Sequence, residues 1–184
     1  MNLKLPSHYI NREVSQLEFC RRVFSMVKDE GLPLLERLCY LSITSEILDE
    51  FFEIRVAGLK QQAAYGAVQR QADALSVEEQ LAVIADNAQG LVEDLYATLN
   101  DDLLPALKSE KISLLRSSQW NADQLAWLKR FFSQEVAPII SPVGLDPAHP
   151  FPEPANKNLA FIVTLEGRDA FGRDSRRAVV QAPH

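Results

Sequence analysis

Histidine, cysteine and glycine are all scarce in this 184-residue sequence, with three, two and seven occurrences. The histidines (His8, His149 and His184) have no metal-ligand spacing with one another or with the cysteines. Seven scattered glycines cannot form a glycine-rich phosphate cradle, and neither a G-x-x-x-x-G-K-[ST] loop nor a G-x-S-x-G elbow occurs. Local motifs therefore predict no metal site and assign no catalytic residue.

Long apolar runs are also missing. No run approaches the 18 or more residues of a membrane span, and the first residues lack the apolar core of a signal peptide. The composition, 47% hydrophobic and 24% charged, is ordinary for a globular protein. We therefore expect a cytoplasmic protein without a transmembrane segment. Cys20 and Cys39 lie in apolar helical patterns, which predicts two reduced thiols in the core.

Basic residues are absent from one long segment, between Asp73 and Asp102. Eight acidic residues lie there: Asp73, Glu78, Glu79, Asp86, Glu93, Asp94, Asp101 and Asp102. The net charge of −6 argues against nucleic-acid binding, which depends on an excess of Lys and Arg. The rest of the chain has 19 basic against 17 acidic residues, so it could still face an anion.

Apolar residues at helical spacing fill the first half of the chain. Ser15 and Glu18 have the spacing of a capping box, which predicts a helix of about 14 to 18 residues that ends at Gly31 and Pro33. A second helix is expected after Pro33, and the pattern restarts after Thr44 and Ser45 and ends near Gly66.

A second capping-box spacing, Ser76 to Glu79, opens a long amphipathic helix that Pro105 is expected to kink or end. The segment Ile112–Leu115 resembles a short strand. Asn121 is the expected N-cap of a further helix that ends before Pro138.

Six of the ten prolines fall between residues 137 and 154, which predicts an extended, ordered loop without regular structure. Two strands should follow, at Leu159–Leu165 and about Ala178–Val180, joined by a hairpin loop from Gly167 to Arg177. The expected fold class is therefore α+β, with a helical bundle domain at 1–108 and a partial α+β head domain at 109–184.

Three stretches carry more specific polar residues than a helical scaffold needs: Tyr9–Phe19, Leu48–Lys60 and Leu145–Asn158. In the second, Asp49 and Glu53 share one helical face, whereas Arg55 and Lys60 lie elsewhere. These residues fit either a solvated helix surface or a helix start that binds a phosphate or nucleotide. In the third stretch, Asn156 and Lys157 could anchor the next strand or contact a phosphate. His149 lies between prolines, which fits a structural loop better than a catalytic role.

Together, these stretches resemble the N-terminal part of bacterial polyphosphate kinase, the enzyme that extends polyphosphate from ATP. The matching letters are YINRE, S-x-L-E-F, PLLERL, LDEFF, IRVAGLK, LDP-x-HPFP and NK-x-L, which span nearly the full sequence. The resemblance implies a helical domain, a head domain used in dimer contacts, and ATP and Mg²⁺ as the family's cofactors.

The resemblance also implies that the catalytic centre lies elsewhere in the family. The phosphorylated histidine, its partner histidine and the phosphate-binding arginines belong to two later domains, and this sequence contains none of those positions. We therefore expect a truncated kinase that is inactive by itself. The resemblance assigns no bound ATP or Mg²⁺ to this chain alone.

Several letters depart from the family pattern. The family has tryptophan where Gln16 stands, asparagine at Cys20, and a nucleotide-contacting asparagine where Ile47 stands. Isoleucine has no hydrogen-bonding side chain, so Ile47 cannot form the side-chain hydrogen bond that this asparagine offers a nucleotide. The alternatives left open are a homo-oligomer, a non-catalytic protein that forms a heterodimer with an intact polyphosphate kinase, and a degenerate paralogue.

Overall fold

The protein divides into two compact units, one up to Leu114 and one from Leu115 onward. The structure is a computed structural model, and it describes residues 5–66, 72–145, 150–153, 156–166 and 177–183. Helices form the first unit, and a helix with a small antiparallel sheet forms the second. The predicted α+β class is confirmed, whereas the boundary predicted at residue 108 stays a prediction.

Within its described residues, the first unit contains five α-helices. They are α1 (Arg12–Ser25), α2 (Leu34–Glu50), α3 (Ala57–Ala64), α4 (Val77–Thr98) and α5 (Leu104–Ser109). A π-helical turn, Phe51–Val56, joins α2 to α3, and a second, Leu99–Leu103, joins α4 to α5. Helix α1 packs against α2 and α4, so these three helices surround the core.

The predicted start of α1 is wrong. The helix begins at Arg12, and Asn11 is its N-cap because the Asn11 side chain accepts hydrogen bonds from two backbone N–H groups of the first turn. Ser15 lies inside the helix, where its own N–H already bonds to the Asn11 carbonyl. The expected restart after Thr44 is also wrong, because α2 continues and the Thr44 hydroxyl donates to the Tyr40 carbonyl one turn earlier.

The predicted capping box of α4 is confirmed. The Ser76 hydroxyl accepts from the Glu79 N–H, and the Glu79 carboxylate accepts from the Ser76 N–H. Pro105 lies in the first turn of α5, where its missing N–H costs little, and the helix ends at Ser109.

The core of the first unit consists of apolar side chains with little or no contact with solvent. Its members are Leu17, Cys20, Phe24, Val27, Leu48, Phe51, Val56, Leu59, Val77, Ile84, Ala88, Leu91, Leu95 and Leu103. Helices α1 to α4 and both π-helical turns contribute residues to this cluster, and α5 follows the second turn in the chain. The helical segments are therefore held mainly by shared burial of one apolar face each.

The strand predicted at Ile112–Leu115 is wrong. The chain leaves α5 through Lys111 in the left-handed conformation (φ 64°), and the Ile112 N–H bonds back to the Leu107 carbonyl. This arrangement caps the helix by a Schellman-type bond. The residues that follow are irregular and have no paired strand among the described residues.

The second unit contains helix α6 (Ala122–Phe131), which a π-helical turn, Phe132–Val136, extends. The predicted N-cap is confirmed, because Asn121 and Gln124 form a reciprocal capping box. None of the ten residues of α6, all of them described, is buried. Trp127 and Phe131 stack on its surface, with ring centroids 5.2 Å apart.

Three strands form an antiparallel sheet in the order β1, β3, β2, where β1 is Val143–Gly144, β2 is Ala160–Thr164 and β3 is Arg177–Gln181. The two predicted strands are confirmed as β2 and β3. Strand β1 corrects the expectation that the proline-rich region has no regular structure, since Val143 pairs with Val179. The predicted hairpin loop lies almost entirely outside the described residues.

Candidate functional site

The first polar stretch centres on Asn11, which uses every hydrogen-bonding position of its amide. Its Oδ1 accepts from the backbone N–H groups of Glu13 and Val14 at 2.9 and 3.0 Å. Its Nδ2 donates to Asp73 Oδ2 at 2.7 Å and to Gln80 Oε1 at 3.1 Å. Asn11 therefore ties the start of α1 to the start of α4, and its role in this structure is to join two helix termini.

Gln80 and Asp73 are held in turn by the short segment that leads into α4. Gln80, only 1% exposed, donates from Nε2 to the Leu75 carbonyl at 3.4 Å. The other oxygen of Asp73 accepts from the Leu75 N–H at 3.1 Å. Asn11, Asp73, Leu75 and Gln80 thus form a connected set of polar contacts, the Asn11 network, between the starts of α1 and α4.

Glu13 is buried although it is charged, with 2% of its surface exposed. Its Oε1 accepts from Arg12 Nε at 2.8 Å and lies 2.7 Å from a second nitrogen of the same guanidinium. The Arg12 side chain is largely exposed, so a surface cation neutralises a buried carboxylate. Arg12 therefore already forms an ion pair within the protein.

Arg37 is the second charged residue that is buried among the described residues, and the sequence patterns gave it no role. Its Nε donates to the Val27 carbonyl at 2.6 Å, and its guanidinium pairs with Asp102 at the π-helical turn between α4 and α5. Arg37 itself belongs to α2. It thereby connects three parts of the helical unit that are far apart in sequence, and no local spacing could have revealed this role.

The second polar stretch, Leu48–Lys60, contains the π-helical turn Phe51–Val56. Phe51 and Val56 are buried, whereas Glu53, Arg55 and Lys60 are exposed. Within the described part of the chain, Arg55 and Lys60 have no hydrogen bond or ion pair. A π-helical turn is frequent at functional sites, and no described residue neutralises either cation, so both could meet an anion.

Ile47, the residue at the family's nucleotide-contacting position, lies on α2 one turn before Phe51. Its side chain is half-buried and packs against the core of the first unit. The structure thus gives it an apolar packing role, and its contact with a nucleotide remains a prediction.

The third polar stretch is only partly described. His149 lies outside the described residues, and so does His184. Asn156 and Lys157 are exposed, and Lys157 has a left-handed backbone (φ 59°) just before β2. Asn158 Nδ2 donates to Gln181 Oε1 at 3.2 Å, which fastens the start of β2 to the end of β3. This part of the stretch anchors the sheet.

Metal-binding groups are not gathered anywhere in the described ranges. No three His, Cys, Asp or Glu side chains there come close enough to hold a metal ion. In addition, no described helix is both long and apolar enough to cross a membrane.

The two cysteines differ in environment, which corrects the expectation that both lie in the core. Cys20 is buried and Cys39 is exposed on α2. Loss of contact with water raises the pKa of the Cys20 thiol above its ordinary value of 9.0.

We expect Ellman's reagent to modify the exposed Cys39 thiol rapidly in the folded protein and the buried Cys20 thiol only after denaturation. The Cys39→Ser variant should lose the rapid phase and keep the slow one. The raised pKa also makes the stability of the fold depend on pH. Cys20 contributes fully to stability below pH 9, and this contribution is lost as the pH rises through the pKa of the folded state, because the unfolded chain then ionises more readily. Rapid modification of Cys39→Ser would contradict the burial of Cys20.

The fold and these contacts define an α+β protein. The buried polar side chains described above, Asn11, Gln80 and Arg37, join one helical segment to another. Comparison with known families then gives two matches in succession: the polyphosphate kinase N-terminal domain at residues 9–115 and the polyphosphate kinase middle domain at residues 123–184. The chain belongs to the polyphosphate kinase family, as the resemblance in its motifs predicted.

Individual relatives agree with this assignment. The polyphosphate kinase of Pseudomonas syringae pv. tomato is 53% identical over 182 residues, which cover 99% of this chain and 25% of that protein. That of Pseudomonas aeruginosa is 51% identical over 177 residues, 96% of this chain and 26% of that protein. The crystal structure of polyphosphate kinase from Porphyromonas gingivalis superposes with a TM-score of 0.69 at 27% identity, over 94% of this chain and 24% of that one. The chain thus spans about a quarter of the length of these relatives.

Proposed function

We propose that this chain provides the nucleotide-side and self-association part of a polyphosphate kinase, an enzyme that reversibly transfers the terminal phosphate of ATP to polyphosphate. The observation that carries the proposal is the pair of successive family matches, which together cover most of the chain in the order that the relatives have. In this proposal ATP and Mg²⁺ serve the complete enzyme, the location is cytoplasmic, and the domains are 1–108 and 109–184.

The contribution of this chain to nucleotide binding is proposed to be weak. Ile47 stands at the position of the family's nucleotide-contacting asparagine, and its side chain offers no donor or acceptor. Arg55 and Lys60 are exposed, have no hydrogen bond or ion pair to another described residue, and lie on the helical segment that follows, so we propose them as the cations that attract phosphate. The proposal assigns no catalytic residue to this chain.

The test is a chimera in which this chain replaces the matching quarter of the Pseudomonas syringae polyphosphate kinase. The chimera should convert ATP and polyphosphate, because the rest of that enzyme supplies the catalytic groups. The isolated chain, incubated with radiolabelled ATP, should acquire no covalent phosphate. A folded but inactive chimera would overturn the proposal, as would phosphorylation of the isolated chain.

The Ile47→Asn substitution in the same chimera tests the assigned position. We expect the KM for ATP to fall by about threefold to tenfold, as one regained hydrogen bond would allow. Ile43→Asn is the matched control, since Ile43 lies one turn earlier on α2 and is already partly exposed. Equal effects of the two substitutions would show that Ile47 does not mark the nucleotide position.

A further inference from the structure

The described residues contain three π-helical turns, and two of them share a local cause. In the turns Leu99–Leu103 and Phe132–Val136, the side chain of the second residue, Asn100 or Ser133, donates to the carbonyl four positions earlier, at 2.8 and 2.9 Å. A proline follows five positions after each donor. Because a proline ring crowds the carbonyl four positions before it, a wider turn there relieves the crowding. These two turns are therefore explained by their own sequence.

The remaining turn, Phe51–Val56, has neither feature. Its second residue is Phe52, which has no hydrogen-bonding group in its side chain, and no proline follows it before Pro105. The wider winding is nonetheless present, since the Ala57 N–H bonds to the carbonyls of Ile54 and Phe52, the latter five positions earlier. The cause of this turn therefore lies in the packing of its side chains.

The winding of this turn decides which side chain faces the core. In a regular α-helix, the residue four positions after buried Phe51 would lie only about 40° from it around the axis, and that residue is Arg55. In the structure Val56 is buried instead, with 5% of its surface exposed, and Arg55 is exposed. The wider turn therefore moves the Arg55 side chain from the buried side of the helix into solvent. Lys60, nine positions after Phe51, would face solvent in a regular α-helix as well.

We propose that the turn Phe51–Val56 serves to present Arg55, and that Arg55 binds a phosphate chain, either that of a nucleotide or polyphosphate itself. This inference rests on the proposed function, because it assigns the direct phosphate contact of this chain to one residue. Departures from regular winding of this kind are rare and recur at functional sites. A turn that no local feature explains, and whose effect is to expose one cation, fits that pattern.

The surroundings of Arg55 suit a phosphate. A guanidinium binds two phosphate oxygens at once, and the described residues offer Arg55 no hydrogen bond or ion pair. Glu53, the nearest charged residue in the sequence, is two positions away, and residues two apart on a helix do not face each other. Arg55 therefore keeps its donors available to an incoming anion.

Thiol accessibility in the full chain tests the winding. In a Cys39→Ser background, Ellman's reagent should modify Arg55→Cys at least about tenfold faster than Val56→Cys, because only the former position is exposed. A regular α-helix through this segment would reverse that order. Circular dichroism should show both variants folded before the rates are compared. Slow modification of Arg55→Cys overturns the inference by itself, whatever Val56→Cys does.

Enzyme kinetics in the chimera described above test the phosphate contact. Arg55→Gln should raise a KM by about tenfold and leave kcat within about twofold, because one charge-assisted contact in the bound substrate is lost. Arg55→Lys keeps the charge without the forked donors and should raise the same KM by only about threefold. The KM values for ATP and for polyphosphate are measured separately, and the one that rises identifies the source of the phosphate chain.

Arg22→Gln is the matched control, since Arg22 is an exposed arginine on α1 that lies over the Phe19 ring, and it should leave both KM values unchanged. Unchanged KM values in Arg55→Gln overturn the inference, and so does an equal rise in Arg22→Gln. A fall in kcat with unchanged KM also overturns it, because that result would give Arg55 no part in binding. An active chimera that is insensitive to Arg55→Gln removes this inference alone, whereas an inactive chimera removes the proposed function on which it rests.

Discussion

Replacing Asn11 by alanine is expected to lower the free energy of unfolding of the helical unit by about 3 kcal/mol. The substitution removes the N-cap of α1 and also leaves buried Gln80 and part-buried Asp73 without their shared donor. Loss of a cap costs about 1 kcal/mol, and stranding buried acceptors adds a further amount of about 1–3 kcal/mol. Urea denaturation followed by circular dichroism at a helical wavelength measures the change.

Asn121→Ala is the matched control for this prediction. Asn121 is also an N-cap, but its capping contacts are local, to Gln124 only, and the residue is exposed. We expect a loss of about 1 kcal/mol there. Both tryptophans, Trp120 and Trp127, belong to the second unit, so tryptophan fluorescence follows that unit separately. Equal losses in the two variants would show that the long-range contacts of Asn11 contribute nothing.

Arg37→Met should destabilise the helical unit by about 3 kcal/mol. Methionine fills a similar volume but cannot donate to the Val27 carbonyl, which would then lack a side-chain partner in the interior. It also removes the ion pair that links α2 to the π-helical turn at Asp102. The same urea titration provides the measurement, with the helical signal as the probe.

Two further variants separate these causes. Asp102→Asn keeps an acceptor for Arg37 while removing the charge, and because Asp102 is about half exposed the expected loss is only about 1 kcal/mol. Arg22→Met removes an exposed arginine that lies over the Phe19 ring and should change stability by less than about 0.5 kcal/mol. If Arg37→Met were as mild as Arg22→Met, the buried contacts of Arg37 would be without energetic consequence.

The sequence predicted those parts of the fold whose causes are local. The capping box at Ser76 and the N-cap at Asn121 depend on contacts between residues three apart, which a local pattern can indicate, although the same spacing at Ser15 predicted the wrong start for α1. Strands β2 and β3 were predictable because a run of apolar and β-branched residues is typical of a strand. The helical character of the first unit followed from apolar residues at helical spacing.

Other features depend on partners that the local sequence does not contain. The sequence predicted a cap at Ser15, whereas Asn11 caps α1 and its side chain also contacts Asp73 and Gln80 across the helical unit. Val143 forms a strand because it pairs with Val179 of β3. The prolines around Val143 predict a loop there, so the local sequence gives no sign of this pairing. The polar role of Arg37 and the exposure of Cys39 likewise follow from packing.

The candidate site was predictable only through the family resemblance. The residue patterns alone favoured a solvated helix surface for Leu48–Lys60 and left an anion site as the alternative, and the structure shows which of these residues are exposed. Ile47 became a candidate solely because the family has another residue there. Its role in binding a nucleotide stays a prediction.

The π-helical turn Phe51–Val56 affects how related sequences should be aligned. A regular α-helix advances about 100° per residue, so an extra residue in one turn rotates everything after it by roughly that angle. Phe51 and Val56 are five residues apart and both buried, a spacing that one wider turn brings to the same face. A one-residue gap placed within Phe51–Val56 therefore corresponds to a plausible change of winding, whereas the same gap within α4 would turn an entire apolar stripe toward water.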